Sequence, residues 1–509
     1  MLRSGANDRE FAGVRDELSQ KLAQDYGYPV TQHCTPAAVF LNGEYYGYSW
    51  VHENYNEDYL ATYFGGNKDN YEIVSNIEDA DEGSERALED YGKLYAYYDR
   101  DLTDDSTFAE YCGLVDIDNL MQYYCMQVFI ANKDWPGNNY KAFRYYPSEG
   151  EEITSEFQDG RWRFMFFDAE YAWSLYGERP NADTLRDLLS GTHMSGESKA
   201  LIALLAREDM REKFAATMSD LTANAFEKNH ILETLDELCA MSDSEQFYAL
   251  DKGITSEWAN RETFANSRQQ IRDFADIREY VVFRNMYKLF EWEKNTYTVS
   301  VTGAGGAVTT LNTQKRNGRG ILSAEYNCKC TVPLKAEIAD GWEFVSWEIN
   351  GVTYDTPEVE LNARTAGTDG RIIAKLNTKL SETTDAPLQI KEISTAKKAG
   401  YIVLYNPNST EVSTAGLYLT DKPEKLDRWE IPARSVPAYG ELLIVTDNNK
   451  TESALHQLQA NFSLKKGETL ILSDKGGNIL AEVPVPDIPE GSVYAFQDYG
   501  QYRAVPSAD

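Results

Sequence analysis

The sequence predicts a multidomain chain: an α+β region reaching to about residue 291, followed by two small modules built only of strands. Three observations carry this. The chain has 509 residues. At roughly 150 residues per domain that is about three domains, and a single core rarely grows past ~250–300 residues. Apolar residues recur at helical spacing before residue 292 and at strand spacing after residue 296. A polar stretch, LSETTDAP at 380–387, reads as a linker between the last two modules.

The elements follow in order. AAVFLNGEYYGYSWVHE at 37–53 alternates on either side of Asn42-Gly43, a strong two-residue turn signal, and predicts a hairpin. The acidic run Asp79–Asp105 reads as a solvated helix face and loop rather than a binding tail. Asp116–Ala131 opens with acids suited to a helix N-terminus. It then places Leu120, Tyr123, Tyr124, Gln127 and Val128 on one face. Tyr140–Tyr146 and Arg161–Phe167 predict a strand pair joined by an acidic loop. The segments 198–218, 228–241 and 264–291 each predict one helix. From residue 296 no helix is predicted. YTVSVTG, AVTTLNT, CTVPLKAEI, WEFVSWEING and RIIAKLNT give an all-β module over 296–378. IKEIS, YIVLYNP, ELLIVTD and ETLILSD give a β-sandwich over 388–509.

Composition removes several classes of function. Lys+Arg total 49 against 82 Asp+Glu, a formal charge of −33, so nucleic acid and anionic membrane surfaces are poor partners. No apolar run approaches ~18 residues, so no membrane span is expected. The opening MLRSGANDRE lacks the apolar core of a signal peptide. Six cysteines include Cys328 and Cys330, which on a strand would face one side. With no second pair at zinc-ligand spacing, they are read as incidental thiols. The five histidines are scattered, which argues against a histidine-built metalloenzyme.

Chemistry concentrates in two stretches. In IANKDWPGNNYKAFRYY at 130–146, Asp134 follows a buried helix, Trp-Pro-Gly turns, and Asn138 and Asn139 precede a strand. In RWRFMFFDAEYA at 161–172, an apolar strand ends in Asp168, with Glu170 two residues on. Hard oxygen donors at neighbouring strand ends suit magnesium and a polyphosphate. In protein kinases a catalytic-loop aspartate is followed five residues later by a metal-binding asparagine, and later by a strand-end aspartate that also binds metal. Asp134, Asn139 and Asp168 have that order and offset. Two plainer readings stay open: Asn-Asn as an ordinary turn, and Asp168 as a cap of the turn after its strand. Asp168 and Glu170 as a glycosidase pair is disfavoured, because such carboxyls normally come from different strands.

Residues 1 to about 291 resemble the CotH kinase family, the spore coat protein H-like kinases. The resemblance rests on several motifs in order: Leu2-Arg3-Ser4-Gly5-Ala6-Asn7-Asp8 with Val14-Arg15-Asp16, the hairpin FLNGEYYGYSWVHE at 40–53, Asp134-Trp135 with Asn138-Asn139-Tyr140, Trp162 with Phe167-Asp168, and the helical tail carrying Arg278. It implies an atypical protein-kinase-like fold and transfer of the ATP γ-phosphate, with Mg2+, to Ser/Thr of a protein. Asp134 then matches the catalytic aspartate that orients the acceptor hydroxyl. Asn139 and Asn138 match the metal-binding asparagine, Asp168 the metal-binding aspartate, and Glu170 a further metal position where the family often has aspartate. Glu53 is expected to pair with a phosphate-binding lysine. The family also has strands upstream of Arg3-x-Gly5-x-x-Asp8 that carry such a lysine, and here the chain begins with that segment. Arg3 and Lys141 are therefore the expected phosphate cations. Residues 297–376 resemble an internalin-type β-repeat and 388–509 a bacterial lamin-tail domain. These imply a bacterial surface, extracellular or spore-coat setting, with modules that bind surface proteins or glycans. A catalytically silent scaffold or adhesion protein is the alternative.

Overall fold

The computed structural model describes residues 1–509 except 4, 6, 76–78, 83, 191–195, 257, 340–341, 381–387, 397–399, 447–457, 490, 497–501 and 507–509. All but the first residue of the predicted linker 380–387 lies outside the described residues. The first region mixes helices with two small antiparallel sheets. One has the order β1-β3-β2, from Leu2–Arg3 (β1), Cys34–Leu41 (β2) and Glu44–His52 (β3). Asn42 and Gly43 join β2 to β3 with φ of 51° and 84°. Two consecutive left-handed residues are what a tight hairpin turn requires, and Asn-Gly supplies them at little cost. The other sheet has the order β5-β4-β6-β7, from Tyr71–Ser75 (β4), Asp79–Glu82 (β5), Lys141–Tyr145 (β6) and Arg163–Met165 (β7). The acidic run expected to be helix and loop thus begins as an edge strand. The predicted pair 140–146 and 161–167 forms with Lys141 opposite Met165.

Ten helices accompany the sheets among the described residues: Arg15–Tyr26 (α1), Glu57–Phe64 (α2), Glu85–Tyr98 (α3), Asp105–Cys112 (α4), Ile117–Ile130 (α5), Thr184–Leu189 (α6), Gly196–Leu205 (α7), Glu208–Thr222 (α8), Lys228–Asp251 (α9) and Arg261–Phe290 (α10). The single helix expected over 198–218 is two. Arg207 is extended at the break (φ −82°, ψ 141°). Its guanidinium bonds the Leu102 carbonyl at 3.1 Å and pairs with Asp105 and Asp209 at 3.0 and 2.9 Å. A tertiary ion-pair cluster therefore overrides a continuous local pattern. The third predicted helix runs on to Asp251.

Helix α5 shows how the site is positioned. Asp116 caps it by accepting the Asn119 N–H at 3.1 Å. Its side chains are buried almost all round, because α8 and α10 pack against it as well as β7. It ends at Ala131 in a left-handed conformation, φ 55°. There the chain pairs with the segment after β7: the Trp173 N–H donates to the Ile130 carbonyl at 3.1 Å, and the Lys133 N–H to that of Tyr171 at 2.9 Å. These two bonds bring the Asp134 turn alongside the Asp168 segment.

Among its described residues the second region is strands with one short α-helix, Ala363–Ala366, running into a 3-10 turn at Gly367–Asp369, which the alternation did not predict. Thr296–Thr302 (β8), Ala307–Leu311 (β9), Gln314–Asn317 (β10), Ile321–Asn327 (β11), Val332–Ile338 (β12), Trp342–Ile349 (β13), Val352–Tyr354 (β14), Glu358–Leu361 (β15) and Arg371–Leu380 (β16) form two sheets, β10-β9-β12-β15 and β11-β8-β16-β13-β14. Its hydrophobic core is continuous with that of the first region. Cys328 and Cys330 lie in the turn after β11 rather than on a strand, one exposed and one buried, and all six cysteines are free thiols. From Gln389 on, a six-stranded and a four-stranded sheet enclose a separate hydrophobic cluster that includes Ile393, Ile402, Leu419 and Leu472.

Candidate active site

The loop before α1 is wound around one carboxylate. Asp8 accepts the backbone N–H groups of Ala12, Val14 and Arg15 at 3.1, 2.9 and 2.9 Å, and pairs with the Arg15 guanidinium. Two of these donors belong to the start of α1, where an unpaired N–H would otherwise be buried, so Asp8 caps the helix from outside it. Fully buried Arg15 also reaches the carbonyls of Trp173 and Ser267 at 3.4 and 3.3 Å. This fixes α1, and with it Asp16 in its first turn.

Arg3, on β1, stands among three carboxylates. Its Nε is 3.0 Å from Asp16, its Nη2 is 3.4 Å from Glu170, and Nη2 also bonds Asp168. Burial works against the guanidinium charge, but the three acids more than offset it and hold its pKa above the ordinary arginine range. Asp16 accepts the Ala169 N–H at 2.8 Å with its other oxygen, and Glu170 accepts the Asn7 N–H at 3.0 Å. Asp168 itself is left-handed, φ 52°; β7 ends at Met165, so Asp168 lies in the segment beyond it rather than at the strand end that the sequence predicts. Burial pushes the Asp168 carboxyl up. Arg3 pulls it down, while Asp16 and Asp134 push it up again. Burial likewise raises Glu170.

Asp134 is carried on the neighbouring segment, which the Lys133 N–H bond to the Tyr171 carbonyl holds alongside. Its two carboxylate oxygens accept Nδ2 of Asn138 at 3.2 Å and Nδ2 of Asn139 at 2.8 Å, and Asn132 holds its N–H at 3.2 Å. Asn139 is left-handed, φ 60°, which asparagine tolerates better than most residues. The turn thus pins the Asp134 carboxylate in one orientation, within electrostatic reach of Asp168.

The structure therefore groups Arg3, Asp134, Asn138, Asn139, Asp168 and Glu170. Lys141 is adjacent, its Nζ 5.4 Å from the centre of the Phe167 ring. Glu53 stands apart: it accepts the His33 N–H at 2.9 Å and the Tyr63 hydroxyl at 2.6 Å. The residues that chemical reading of the sequence did not single out are Asp16 and, behind it, Glu17 and His52. Glu17 lies 2.9 Å from His52 Nε2, and Asp16 is 3.8 Å from Nδ1. Asp16 lay in the Val14-Arg15-Asp16 motif and His52 in the hairpin motif at 40–53, and neither spacing alone names a chemistry.

Among the described residues, no three His, Cys, Asp or Glu side chains are grouped to hold a metal by themselves. Arg3 lies between Asp16, Asp168 and Glu170. Hard-oxygen donors remain. The Asp168 side chain is 27% exposed, against 6% for Glu170 and 2% for Asp16. The amide oxygens of Asn138 and Asn139 are neutral ligands of the kind magnesium accepts. The carboxylates of Asp16, Asp168 and Glu170, with Asp134 nearby, outnumber the one guanidinium among them, so the donor chemistry fits a divalent cation.

The profile of the family described as CotH kinase protein matches residues 1–282. No curated protein matches the chain.

Proposed function

The chain belongs to the CotH kinase family, and from that premise we propose that it is an atypical Ser/Thr protein kinase acting on a protein acceptor with Mg-ATP. The observation that carries the reading is the meeting of the Asp134 turn and the Asp168 segment, 34 positions apart in the chain, through the Lys133 N–H bond to the Tyr171 carbonyl and the Trp173 N–H bond to the Ile130 carbonyl. Magnesium-bound ATP supplies the transferable phosphoryl group and the cation that offsets its charge. The chain's residues do the rest. Asp134, pinned by Asn138 and Asn139, accepts the acceptor hydroxyl's hydrogen bond and orients its oxygen. Asp168 and the amide oxygens of Asn139 and Asn138 are the metal donors. Lys141 is the nearby cation for phosphate oxygens. Arg3 is committed to carboxylates, which argues for a positioning role rather than the phosphate clamp expected of it.

A second reading, a catalytically silent surface scaffold, draws support from one observation: Glu170 has one oxygen on Asn7 and the other facing Arg3, which leaves fewer metal donors than a two-metal kinase uses. The β modules, read as an internalin-type repeat and a lamin-tail domain, and a cell-surface or spore-coat location belong to either reading. Among the described residues no helix is long and apolar enough to cross a membrane.

The test is transfer of ³²P from γ-labelled ATP to the chain itself or to a surrogate protein, with Mg2+ and then Mn2+. Transfer that disappears in Asp134→Asn and Asp168→Asn supports the kinase. A wild-type chain that binds ATP with neither ion and transfers nothing supports the scaffold.

A further inference from the structure

We infer that Arg3 is a built-in cation of this site: its guanidinium takes the place among Asp16, Asp168 and Glu170 that a second divalent ion would otherwise fill, so the site binds one divalent ion. The inference rests on the kinase reading of Asp168 as a metal donor.

The geometry is that of a filled position. Nε faces Asp16 at 3.0 Å, and Nη2 faces Glu170 at 3.4 Å while bonding Asp168. A guanidinium suits this task because its planar fork bridges several carboxylates at once and its charge persists at any working pH. Two of the three acids already have a backbone partner. Asp16 accepts the Ala169 N–H with one oxygen and holds the other 3.0 Å from Arg3 Nε, an ion pair without hydrogen-bond geometry. Glu170 accepts the Asn7 N–H with one oxygen and faces Arg3 Nη2 at 3.4 Å with the other. Backbone donors of this kind fix the carboxylates whether or not a metal is present. Only Asp168 combines contact with Arg3 and substantial exposure. It therefore belongs to both the internal cation and the external one.

The charge balance runs the same way. Asp16, Asp168 and Glu170 carry more negative charge than Arg3 offsets, and Asp134 adds to it, so a cation is still favoured beside Arg3. Without Arg3 the three carboxylates would converge with no guanidinium among them, which favours a further cation or a proton.

The experiment counts tight Mn2+ sites on the full chain by the electron paramagnetic resonance of free Mn2+, with a saturating non-hydrolysable ATP analogue and enough salt to suppress surface binding. Sites are assigned to this cluster by their loss in Asp168→Asn. One site is expected in the wild type, two in Arg3→Met, and one again in Arg3→Lys, which restores a fixed charge. Circular dichroism checks that each variant is folded. If Arg3→Met does not fold, the wild-type count still decides. Two sites in the wild type, or a folded Arg3→Met that still binds one, overturns the inference and leaves the kinase reading standing. No site in the wild type overturns both.

Discussion

At the scale of single residues, Asp168 is one of several left-handed positions around the site, with Ala131, Asn139 and Trp173. A left-handed backbone costs an L-residue roughly 1–2 kcal/mol, and Asp168 holds φ 52°. The Ala169 N–H bond to Asp16 and the ion pair with Arg3 hold it there. Asparagine tolerates that backbone, so Asp168→Asn is expected to fold normally, with an unfolding free energy within about 2 kcal/mol of wild type. It should lose at least about a hundredfold in phosphoryl transfer, because the charge that offsets the transferring phosphate is gone. Melting and ³²P transfer on the same preparation check both halves. Glu17 offers a prediction of a different kind. Burial raises its carboxyl to about 7, with the His52 hydrogen bond pulling it down and the Asp16 charge pushing it up. The folded chain thus holds a proton that the unfolded chain, with a carboxyl near 4.5, releases earlier. Between these values the native state binds more protons, so this group's contribution to stability falls as pH rises from about 4.5 to 7. Denaturant midpoints across that window should decline less steeply in Glu17→Gln than in wild type. Equal slopes would show that Glu17 ionises normally.

Among the elements, the end of α5 matters most. Arg278 of α10, fully buried, bonds the last carbonyls of that helix, at Val128 and Phe129, both at 2.5 Å. It also reaches the Ala182 carbonyl at 2.8 Å and the Thr184 hydroxyl at 3.1 Å. It thus satisfies carbonyls that a helix terminus leaves unpaired, and it places a cation at the negative end of the dipole. Burial without a close carboxylate partner lowers its pKa to about 9, with Asp183 countering weakly. Arg278→Met keeps much of the apolar stem but orphans these acceptors. It should destabilise the chain by about 2–4 kcal/mol, measured by urea denaturation. Because the same helix end leads to Asp134, transfer activity should fall more than the folded fraction does. A loss matched entirely by unfolding would show that α5 does not steer the Asp134 turn.

For the molecule as a whole, Asp220 decides how the regions join. It is fully buried on α8 and receives Nδ2 of Asn312, N–H and Oγ1 of Thr313, Nε2 of Gln314 and the hydroxyl of Tyr326, at 2.5 to 3.0 Å. Tyr26 of α1 adds a bond to Thr313 at 2.5 Å. A carboxylate with five donors can stay charged out of water, although burial still raises its pKa. The module at 296–378 is therefore built onto the first region through a polar plug inside a shared core. Asp220→Ala leaves those donors unpaired and should cost about 3–5 kcal/mol. The strands from Gln389 on have their own hydrophobic cluster, so scanning calorimetry of the variant should move one transition and leave that of 388–509 in place. Transitions that shift together would show one cooperative unit.

The local chemistry of this chain was legible in its sequence wherever the signal was short-range. Asn42-Gly43 specified the hairpin turn, Asp116 the start of α5, and alternation the strands after 296, because each depends on backbone preferences a few residues wide. The order Asp134, Asn139, Asp168 marked the candidate site for the same reason: each acid follows its own helix or strand. What sequence spacing could not carry was the partner of each charge. Arg207 breaking the 198–218 helix, Arg3 settling among three carboxylates, Glu53 turning to His33 and Tyr63, and Asp220 accepting donors more than ninety residues away are all decided by long-range contact. A buried charge is stable only where the fold brings enough opposite charge or hydrogen bonds to replace water, and that meeting exists only in three dimensions.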